Sequence, residues 1–559
     1  MNEPLSPNGL FDGVYDRFGT PHDLREIVAD SNAAPVNSNA LAKHSQTICS
    51  NTGYFELWFE DGCGMTDLND PTETARRDVI CQVFSDLAAF IIPADPTTKV
   101  RIWIRDFDFS NPSASPDVLG TGTPYYTLAA GLSNGSILDN QIWKTINSGI
   151  DAYSDIASPV VVNSNISLNY YHGCVAFDFN NGVPFHTDLY NAPGGISADL
   201  YTVALHEICH ALGFHSLVNT SFPPLPVANG TGLNGLNLYN RFDTYLQTQA
   251  NQNMIDNTGN CQMYGYSYAL PNTNFLQPNS PSCGTNLQFA GNVNQDAYTP
   301  SPWEIGSSLS HLDDVCHTPN GYANMGEYYV MAPNVIQGPL SQKRFLKPEE
   351  KQVLCDIGYR VNGTYGNVPH SSYVSYTAGG CGQNLAGVND GLGPNNAYLY
   401  VIPSGSTSYT FATGQQILGN DFTSTSGGTS NLSFTCLQPI MGGGAVSVTN
   451  GTALTTNITY TPWVASGLCL LRYIPVDNVT GKVGNITYIF IIREGLCDAY
   501  TPCSLVPNGD FELNQGCGPL NLGAIPATVS CWSGTSFTPD IYIWQVVLLY
   551  GQTQEGHIL

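Results

Sequence analysis

One segment, residues 205–216 (LHEICHALGFHS), restricts the fold of this chain more than any other. A Pro-Gly-Gly turn at 193–195 precedes it, and either Ser197 or Asp199 can serve as the N-cap of a helix. Gly213 follows the last apolar position of that helix, as a C′ glycine does. The sequence therefore predicts one helix with a defined beginning and end.

The two sides of this helix differ in chemistry. Leu205, Ile208 and Leu212 fall on one face, which predicts that this face packs into a hydrophobic core. His206 and His210 are four residues apart and stand about 40° apart around the helix axis. Both imidazoles can therefore reach the same metal ion from the other face.

Glu207 lies between these histidines, about 100° around the helix from His206. It can reach a water on the metal but is not placed as a ligand. Zinc suits the pattern because it accepts imidazole nitrogen and leaves a position open for water. The motif thus predicts Zn²⁺ held by His206 and His210, with Glu207 as the general base that activates the hydrolytic water.

Composition narrows the class of protein. The chain has 559 residues, enough for three or four domains, and only 11% of them are charged. Lys and Arg total 18 against 44 Asp and Glu, a formal net charge of -26, which argues against nucleic-acid partners and anionic membrane surfaces. No apolar run is long enough to predict a membrane span.

Sixteen cysteines favour an oxidising compartment and disulfide bonds. Their short separations suggest pairing of Cys63 with Cys81 and of Cys261 with Cys283. The beginning of the chain, MNEPLSPNGLFDG, shows no signal peptide, and we expect that the N-terminus is truncated. The predicted location is secreted or at the cell surface.

Periodicity predicts the elements around the helix. Alternating apolar residues predict strands, and apolar residues at helical spacing predict helices. A polar stretch with little periodicity, 217–300, is predicted to be an insertion. The predicted strands are 54–60, 99–107 and 173–179, and the predicted helices are 72–92 and 346–359.

A change of composition after Tyr359 predicts a domain boundary. We expect a zinc metalloprotease domain at 1–360, a linker at 361–375 and a β-sandwich at 376–495. Residues 497–559 are too few for a complete large β-domain and are predicted to be the start of a truncated one.

The helix motif resembles that of the metzincin zinc proteases, His-Glu-x-x-His-x-x-Gly-x-x-His. It departs from this pattern at the last position, which is Ser216, while His215 lies one residue early. The chain is more similar to the leishmanolysin-like branch and its secreted bacterial relatives, in which an insertion separates the helix from a distant third histidine. The resemblance covers roughly residues 10–360.

This resemblance implies further site residues. His311, in GSSLSHLD at 306–313, matches the third metal ligand, and Met331, in VMAP at 330–333, matches the Met-turn residue beneath the metal. LCDIGY at 354–359 is similar to the closing helix of the family. His215 and a carboxylate remain alternatives to His311 as the third ligand.

Weaker resemblances concern the C-terminal part. ILGNDF and YTPWVASG, within 376–495, are similar to Ig-like or cadherin-like modules, and LVPNGDFE is similar to the opening of carbohydrate-binding jelly rolls. They imply attachment to cell surfaces or glycans. The expected fold is an α+β metzincin-like protease domain, followed by an all-β Ig-like sandwich and a partial jelly-roll-like segment.

The expected function is zinc-dependent endopeptidase activity on protein or peptide substrates. Two alternatives remain: a catalytically inactive surface adhesin, and a zinc hydrolase of non-peptide amides or esters. Among other candidates, Cys209 is expected to face the core, and His172 and His186 to be surface residues or to line the substrate cleft. His317 and the acidic loop 106–117 are expected to be solvated.

Overall fold

The computed structural model describes most of the chain between residues 49 and 494. The described residues are 49–106, 118–126, 134–153, 171–217, 238–248, 251–257, 261, 263–266, 287–291, 309–313, 328–333, 335–363, 365, 379–391, 399–449 and 455–494, with short strands at 14–15, 21–22, 44–45 and 297–298. The segment predicted to be a truncated domain, 497–559, lies outside them.

Five helices and many short strands make up the fold of these residues. The helices are α1 (Pro71–Phe90), α2 (Gln141–Ser148), α3 (Leu200–Ala211), α4 (Pro348–Asp356) and α5 (Gln415–Leu418). The strands of the N-terminal part are β1 (Val14–Tyr15), β2 (Pro21–His22), β3 (His44–Ser45), β4 (Phe55–Glu60), β5 (Val100–Asp106), β6 (Gly120–Pro124), β7 (Gly173–Phe177), β8 (Phe185–His186), β9 (Ala198–Asp199), β10 (Leu246–Thr248), β11 (Ile255–Asn257), β12 (Tyr264–Tyr266), β13 (Leu287–Phe289) and β14 (Ala297–Tyr298).

The main sheet of this part has five strands in the order β3-β4-β5-β7-β6. Strands β4, β5 and β7 are parallel, whereas β6 runs antiparallel to β7 at the edge of the sheet. A parallel pair needs a crossover connection, and α1 provides it between β4 and β5. All five residues of β7 are buried, as expected for a strand covered on both faces.

Helix α1 begins one residue before the predicted position 72 and is capped by Asp70. Asp70 Oδ1 accepts hydrogen bonds from the backbone N–H groups of Thr72 and Glu73, at 2.7 and 3.4 Å. Val83 and Leu87 are among the side chains of the helix that are buried in the main hydrophobic core. The predicted helix at 72–92 and the predicted strands at 54–60, 99–107 and 173–179 are all present, with ends shifted by a few residues.

The predicted disulfide between Cys63 and Cys81 is wrong. Cys81, on α1, forms a disulfide with Cys49, and their Cα atoms are 5.5 Å apart. Cys63 is a thiol in the main core, where burial raises its pKa to about 12. The short sequence separation does not identify the partner, because Cys49, which precedes β4, is the cysteine that lies against α1 at Cys81. A second disulfide joins Cys355 to Cys381.

Strand β6 packs directly on α3. A Cβ added to Gly122 would lie 1.7 Å from the backbone carbonyl oxygen of Glu207, and one added to Gly120 would lie 3.0 Å from Glu207 Cγ. Glycine is therefore required at 122 because helix backbone and strand backbone are in contact there. This approach places the edge of the sheet beside the residue between the two motif histidines.

The C-terminal part consists of strands and one short helix, α5. Its strands are β15 (Leu385–Ala386), β16 (Tyr400–Ile402), β17 (Tyr409–Phe411), β18 (Phe422–Thr423), β19 (Leu432–Met441), β20 (Ala445–Val448), β21 (Ile458–Thr461), β22 (Gly467–Asp477) and β23 (Thr487–Arg493). A sheet in the order β16-β23-β22-β19 and a sheet in the order β17-β21-β20 contribute to one buried cluster. Neither closes into a barrel in the described part of the chain.

The two parts are in direct contact. The Cys355–Cys381 disulfide connects α4 to the beginning of the β-rich part. Asn384 Nδ2 donates to Asn147 Oδ1 at 2.9 Å, and Lys482 Nζ donates to the Cys355 carbonyl at 3.2 Å. The C-terminal strands therefore pack against the part that holds α1 to α4. No helix in the described ranges is long and apolar enough to cross a bilayer.

We predict that Gly122→Ala destabilises the protein by about 3 kcal/mol, because the new methyl group must displace the backbone of α3. Chemical denaturation of the purified chain measures this loss. Gly194→Ala is the matched control, since a Cβ there meets no atom within 4 Å. Equal stability of the two variants would contradict the direct packing of β6 on α3.

Candidate metal centre

The N-terminus of α3 is fixed by a buried carboxylate. Asp199 Oδ2 accepts hydrogen bonds from the backbone N–H and the hydroxyl of Thr202, at 3.1 and 2.8 Å, so Asp199 is the N-cap. Asp199 Oδ1 also forms a 2.6 Å ion pair with Arg344, and both side chains are buried. The beginning of the helix is thereby tied to a segment far along the chain.

Three histidine side chains, two from α3 and one from a later segment, meet at one point. His206 and His210 extend from successive turns, and their Nε2 atoms are 3.0 Å apart. His311 Nε2 lies 3.2 Å from each of them. All three residues are buried, and together they can hold a metal ion.

Backbone carbonyls set the orientation of two of these rings. His206 Nδ1 donates to the Val330 carbonyl at 2.7 Å, and His210 Nδ1 donates to the Phe214 carbonyl at 2.8 Å. Because a carbonyl only accepts, each Nδ1 carries the proton and each Nε2 keeps its lone pair. The lone pairs of both rings are thus available for a ligand at the cluster.

Gly213 makes the second of these hydrogen bonds possible. Its φ of 104° lies in the left-handed region, where glycine is favoured. The chain reverses there, so that Phe214 N donates to Cys209 O at 3.0 Å while the Phe214 carbonyl accepts from His210. The glycine that ends α3 therefore also positions a motif histidine.

The cluster fits a transition-metal ion. Ligand nitrogens about 2.0–2.1 Å from a tetrahedral metal lie about 3.4 Å from one another, close to the 3.0 to 3.2 Å between these Nε2 atoms. Burial, followed by the neighbouring imidazoles, lowers the pKa of His206 well below its usual value, and burial lowers that of His210 to about 4. Both rings are neutral near pH 7, the form that binds metal, and imidazole suits Zn, Cu, Fe and Ni better than Ca.

Glu207 is buried beside the edge of the main sheet. Glu207 is 1% exposed, and a Cβ added to Gly120 of β6 would lie 3.3 Å from Glu207 Oε1. The missing side chain at residue 120 leaves room for the carboxylate. Glu207 is thus held between the helix that carries two of the histidines and the edge strand.

The segment 329–331 connects two of the three histidines. Val330 contributes the carbonyl that orients His206, and the Met331 carbonyl accepts from Leu312 N at 2.8 Å, directly after His311. Met331 itself is completely buried. The residue matched to the Met-turn therefore lies in a backbone segment that fixes both sides of the cluster.

Two charged residues of the segment around α4 hold 329–331 in place. Glu350 Oε1 accepts from Met331 N, and Glu350 Oε2 accepts from Lys347 N, each at 2.7 Å. Lys343 Nζ donates to the Tyr329 carbonyl. Burial raises the pKa of Glu350 to about 7, although Lys347 and these backbone donors oppose the shift. The 329–331 backbone is thus bonded from both ends.

His215, the nearer alternative for the third ligand, lies outside the cluster. Its Nδ1 donates to the His210 carbonyl at 3.0 Å, and its Nε2 accepts from the Tyr126 hydroxyl at 3.0 Å. Ser216 also points elsewhere, since its hydroxyl donates to Asp243 Oδ1 at 2.5 Å. Both residues stabilise the turn after α3, and neither side chain belongs to the cluster of His206, His210 and His311.

The remaining candidates have structural partners. His172 is not a surface residue: it is buried, its Nδ1 accepts from Arg101 N at 2.9 Å, and its Nε2 contacts Asp151 Oδ1 at 3.2 Å. His186 Nε2 bonds a backbone carbonyl at 2.9 Å. Cys209 is a buried thiol on the core side of α3, as predicted. His317 and residues 107–117 lie outside the described residues.

Sequence reasoning missed several residues that support the centre. The Gly-x-Gly spacing at 120–122 was a usable signal, because paired glycines in a strand mark a close backbone approach. No comparable sequence signal marks Glu350 or Asp243 as supporting residues. Each bonds a segment more than a few residues away only after the chain has folded, and sequence spacing does not reveal such contacts.

We predict that Glu350→Gln weakens metal binding about 10- to 100-fold, because a glutamine side chain has one acceptor oxygen for the two backbone N–H groups that Glu350 serves. Competition with a chromophoric chelator measures the affinity, and circular dichroism checks that the variant is folded.

Glu349→Gln is the matched control, a change of the same type at the neighbouring buried position of α4. It should keep the affinity of the unmodified chain. An unchanged metal affinity in folded Glu350→Gln would show that the 329–331 segment does not depend on this carboxylate.

Comparison of the chain with protein-family models, with curated proteins and with solved structures found no significant match. What the chain does must therefore be inferred from its own residues. The buried cluster of His206, His210 and His311 is the feature that points to chemistry.

Proposed function

We propose that this chain is a secreted zinc-dependent endopeptidase of the metzincin type, close to the leishmanolysin-like branch. One observation carries the proposal: three imidazole Nε2 atoms converge within 3.2 Å, and Glu207 lies on the same helix between two of them. The motif resemblance, including His311 and Met331, supports the same activity.

Zinc is the metal that this donor set and chemistry favour. Catalytic zinc sites use three protein ligands and keep a fourth position open, whereas structural sites have four. His206, His210 and His311 would supply the three, each through Nε2. Zinc bound there would polarise a substrate carbonyl and lower the pKa of water from about 16 to about 7.

Glu207 would act as the general base. It sits one residue after His206 on α3, about 100° further around the helix axis. Its burial excludes bulk water from competing for the proton. The carboxylate would accept a proton from the attacking water and deliver it to the nitrogen of the leaving amine.

The edge strand β6 offers a way to hold an extended peptide. In the described ranges β7 is its only sheet partner, and Gly120 of β6 lies against Glu207. A peptide that adds to such an edge gains main-chain hydrogen bonds whatever its side chains are. Its backbone would run beside the catalytic base, which favours peptides over small amides or esters as substrates.

The C-terminal part would serve attachment. Its two larger sheets share one core, and we propose an Ig-like sandwich at 376–495 that contacts cell surfaces or glycans. The disulfides Cys49–Cys81 and Cys355–Cys381 favour a location outside the reducing cytoplasm. An inactive adhesin is the weaker alternative, because a decayed site has no need of Glu207.

We predict that Glu207→Gln retains zinc but loses at least about 100-fold in turnover, in line with the contribution of a general base. Elemental analysis gives the zinc content of the full chain, and cleavage of casein with and without a chelator gives the activity. Near-normal proteolysis by this variant would rule out Glu207 as the base.

The control is Glu349→Gln, which changes a buried glutamate on α4 and should leave turnover unaltered. If the chain binds zinc and hydrolyses small esters in a chelator-sensitive way but does not cleave casein, it is instead a non-peptide hydrolase. A chain that binds zinc and hydrolyses neither would be the inactive adhesin.

A further inference from the structure

Two free thiols of the described residues have an unusual backbone conformation. Cys261 and Cys436 have φ values of 82° and 60°, a region that non-glycine residues seldom adopt. Burial, followed by a hydrogen bond and charge interaction with the Cys436 side chain, raises the pKa of the Cys261 thiol to about 11. Cys261 Sγ also lies 3.8 Å from Gln438 Oε1, and Gln438 follows Cys436 by two residues on β19. The geometry therefore places the two thiols in one neighbourhood, although they are far apart in the sequence.

The fold brings the Cys261 segment to this position through several contacts. Tyr264 N donates to the Gly135 carbonyl at 2.9 Å, and β12, which begins at Tyr264, pairs with β11. The Met263 sulfur lies 3.9 Å from Arg472 Nη2 on β22. Cys261 Sγ is 3.8 Å from Gln438 Oε1 on β19. Residues 261 and 263–266 therefore lie between the N-terminal part and the C-terminal sheet.

Cys436 lies in an irregular part of β19. The pairing of β19 with β22 changes register between Thr435 and Gln438, and Cys436 falls in that bulge. A bulged residue is left out of the ladder, so its side chain can point away from the regular face. Cys436 is half-buried and accessible to a partner from outside the sheet.

We propose that Cys261 and Cys436 form a disulfide bond in the mature protein. Neither cysteine participates in the Cys49–Cys81 or Cys355–Cys381 disulfide, and the same oxidising environment acts on all of them. The bond would connect the predicted insertion at 217–300 to the C-terminal β-rich part. It replaces the pairing of Cys261 with Cys283 that short separation had suggested.

The bond forms by thiol–disulfide exchange with an external disulfide, such as oxidised glutathione or a disulfide oxidoreductase. One cysteine thiolate attacks the external disulfide and releases one thiol, which gives a mixed disulfide. The second cysteine thiolate displaces the remaining external sulfur as another thiol. Two electrons and two protons leave the cysteine pair, and the external disulfide is reduced to two thiols.

This cross-link would hold the two parts of the chain together at a second place. The Cys355–Cys381 bridge already connects α4 to the beginning of the C-terminal part. A bond between Cys261 and Cys436 would add a second covalent link and would close a loop that is long in sequence. Closing a long loop restricts the unfolded chain more than closing a short one.

Peptide mapping of the full chain, secreted through an oxidising compartment and alkylated before digestion without reductant, tests the proposal. We expect a cross-linked pair of peptides that contain Cys261 and Cys436 and that separates after reduction. Cys261 joined to Cys283, or both thiols alkylated in the folded protein, would overturn it. This measurement does not depend on enzymatic activity, so it stands apart from the test of Glu207.

Single variants provide the second measurement. Cys436→Ser should leave Cys261 open to alkylation, and Cys261→Ser should do the same for Cys436. Cys174→Ser, at a buried thiol of β7, is the control and should expose neither. If Cys261 stays protected from alkylation in folded Cys436→Ser, it has another partner and the proposal is wrong.

Discussion

The centre depends on hydrogen bonds in which imidazole Nδ1 atoms donate to backbone carbonyls. Val330 receives one from His206, and Phe214 receives one from His210. These bonds fix the tautomer of each ring and direct its Nε2 toward His311, at 3.2 Å from both. Much of the surrounding structure serves to place those two carbonyls. The left-handed turn that ends α3 sets one of them, and the bonded backbone of segment 329–331 sets the other.

The carbonyls and the side chains that hold them are polar groups in a buried interior. Burying a polar group costs free energy unless it is hydrogen-bonded. Asp199 and Arg344 are buried together, and Asp199 also caps α3. Glu350 is buried with backbone donors at both oxygens. The Asp199–Arg344 ion pair and the hydrogen bond from Met331 N to Glu350 both join the region of the histidine cluster to residues 341–350. The site therefore depends on the folding of that segment. Removing one partner of a buried ion pair lowers the stability of the fold by more than the intact pair contributes to it, because a buried charge is left without a partner.

Local features were predicted well because their causes lie close together in the sequence. The helix with two histidines four residues apart, the glycine at 213 and the choice of Ser197 or Asp199 as N-cap all follow from short-range chemistry. The structure has Asp199 as the N-cap. His311 came from a family resemblance, and spacing alone left it competing with His215. The partner of Cys81, the support from Glu350 and the approach of Gly122 to α3 depend on distant segments meeting, which no local pattern encodes.

X-ray absorption at the zinc K edge of the zinc-loaded full chain tests the central claim, a centre of three imidazoles, most directly. We expect three imidazole nitrogens at about 2.0–2.1 Å and one oxygen ligand, with no sulfur. His311→Ala should remove one imidazole from the spectrum, whereas His215→Gln should leave all three. A sulfur ligand, or a spectrum that changes with His215 and not with His311, would contradict the assignment.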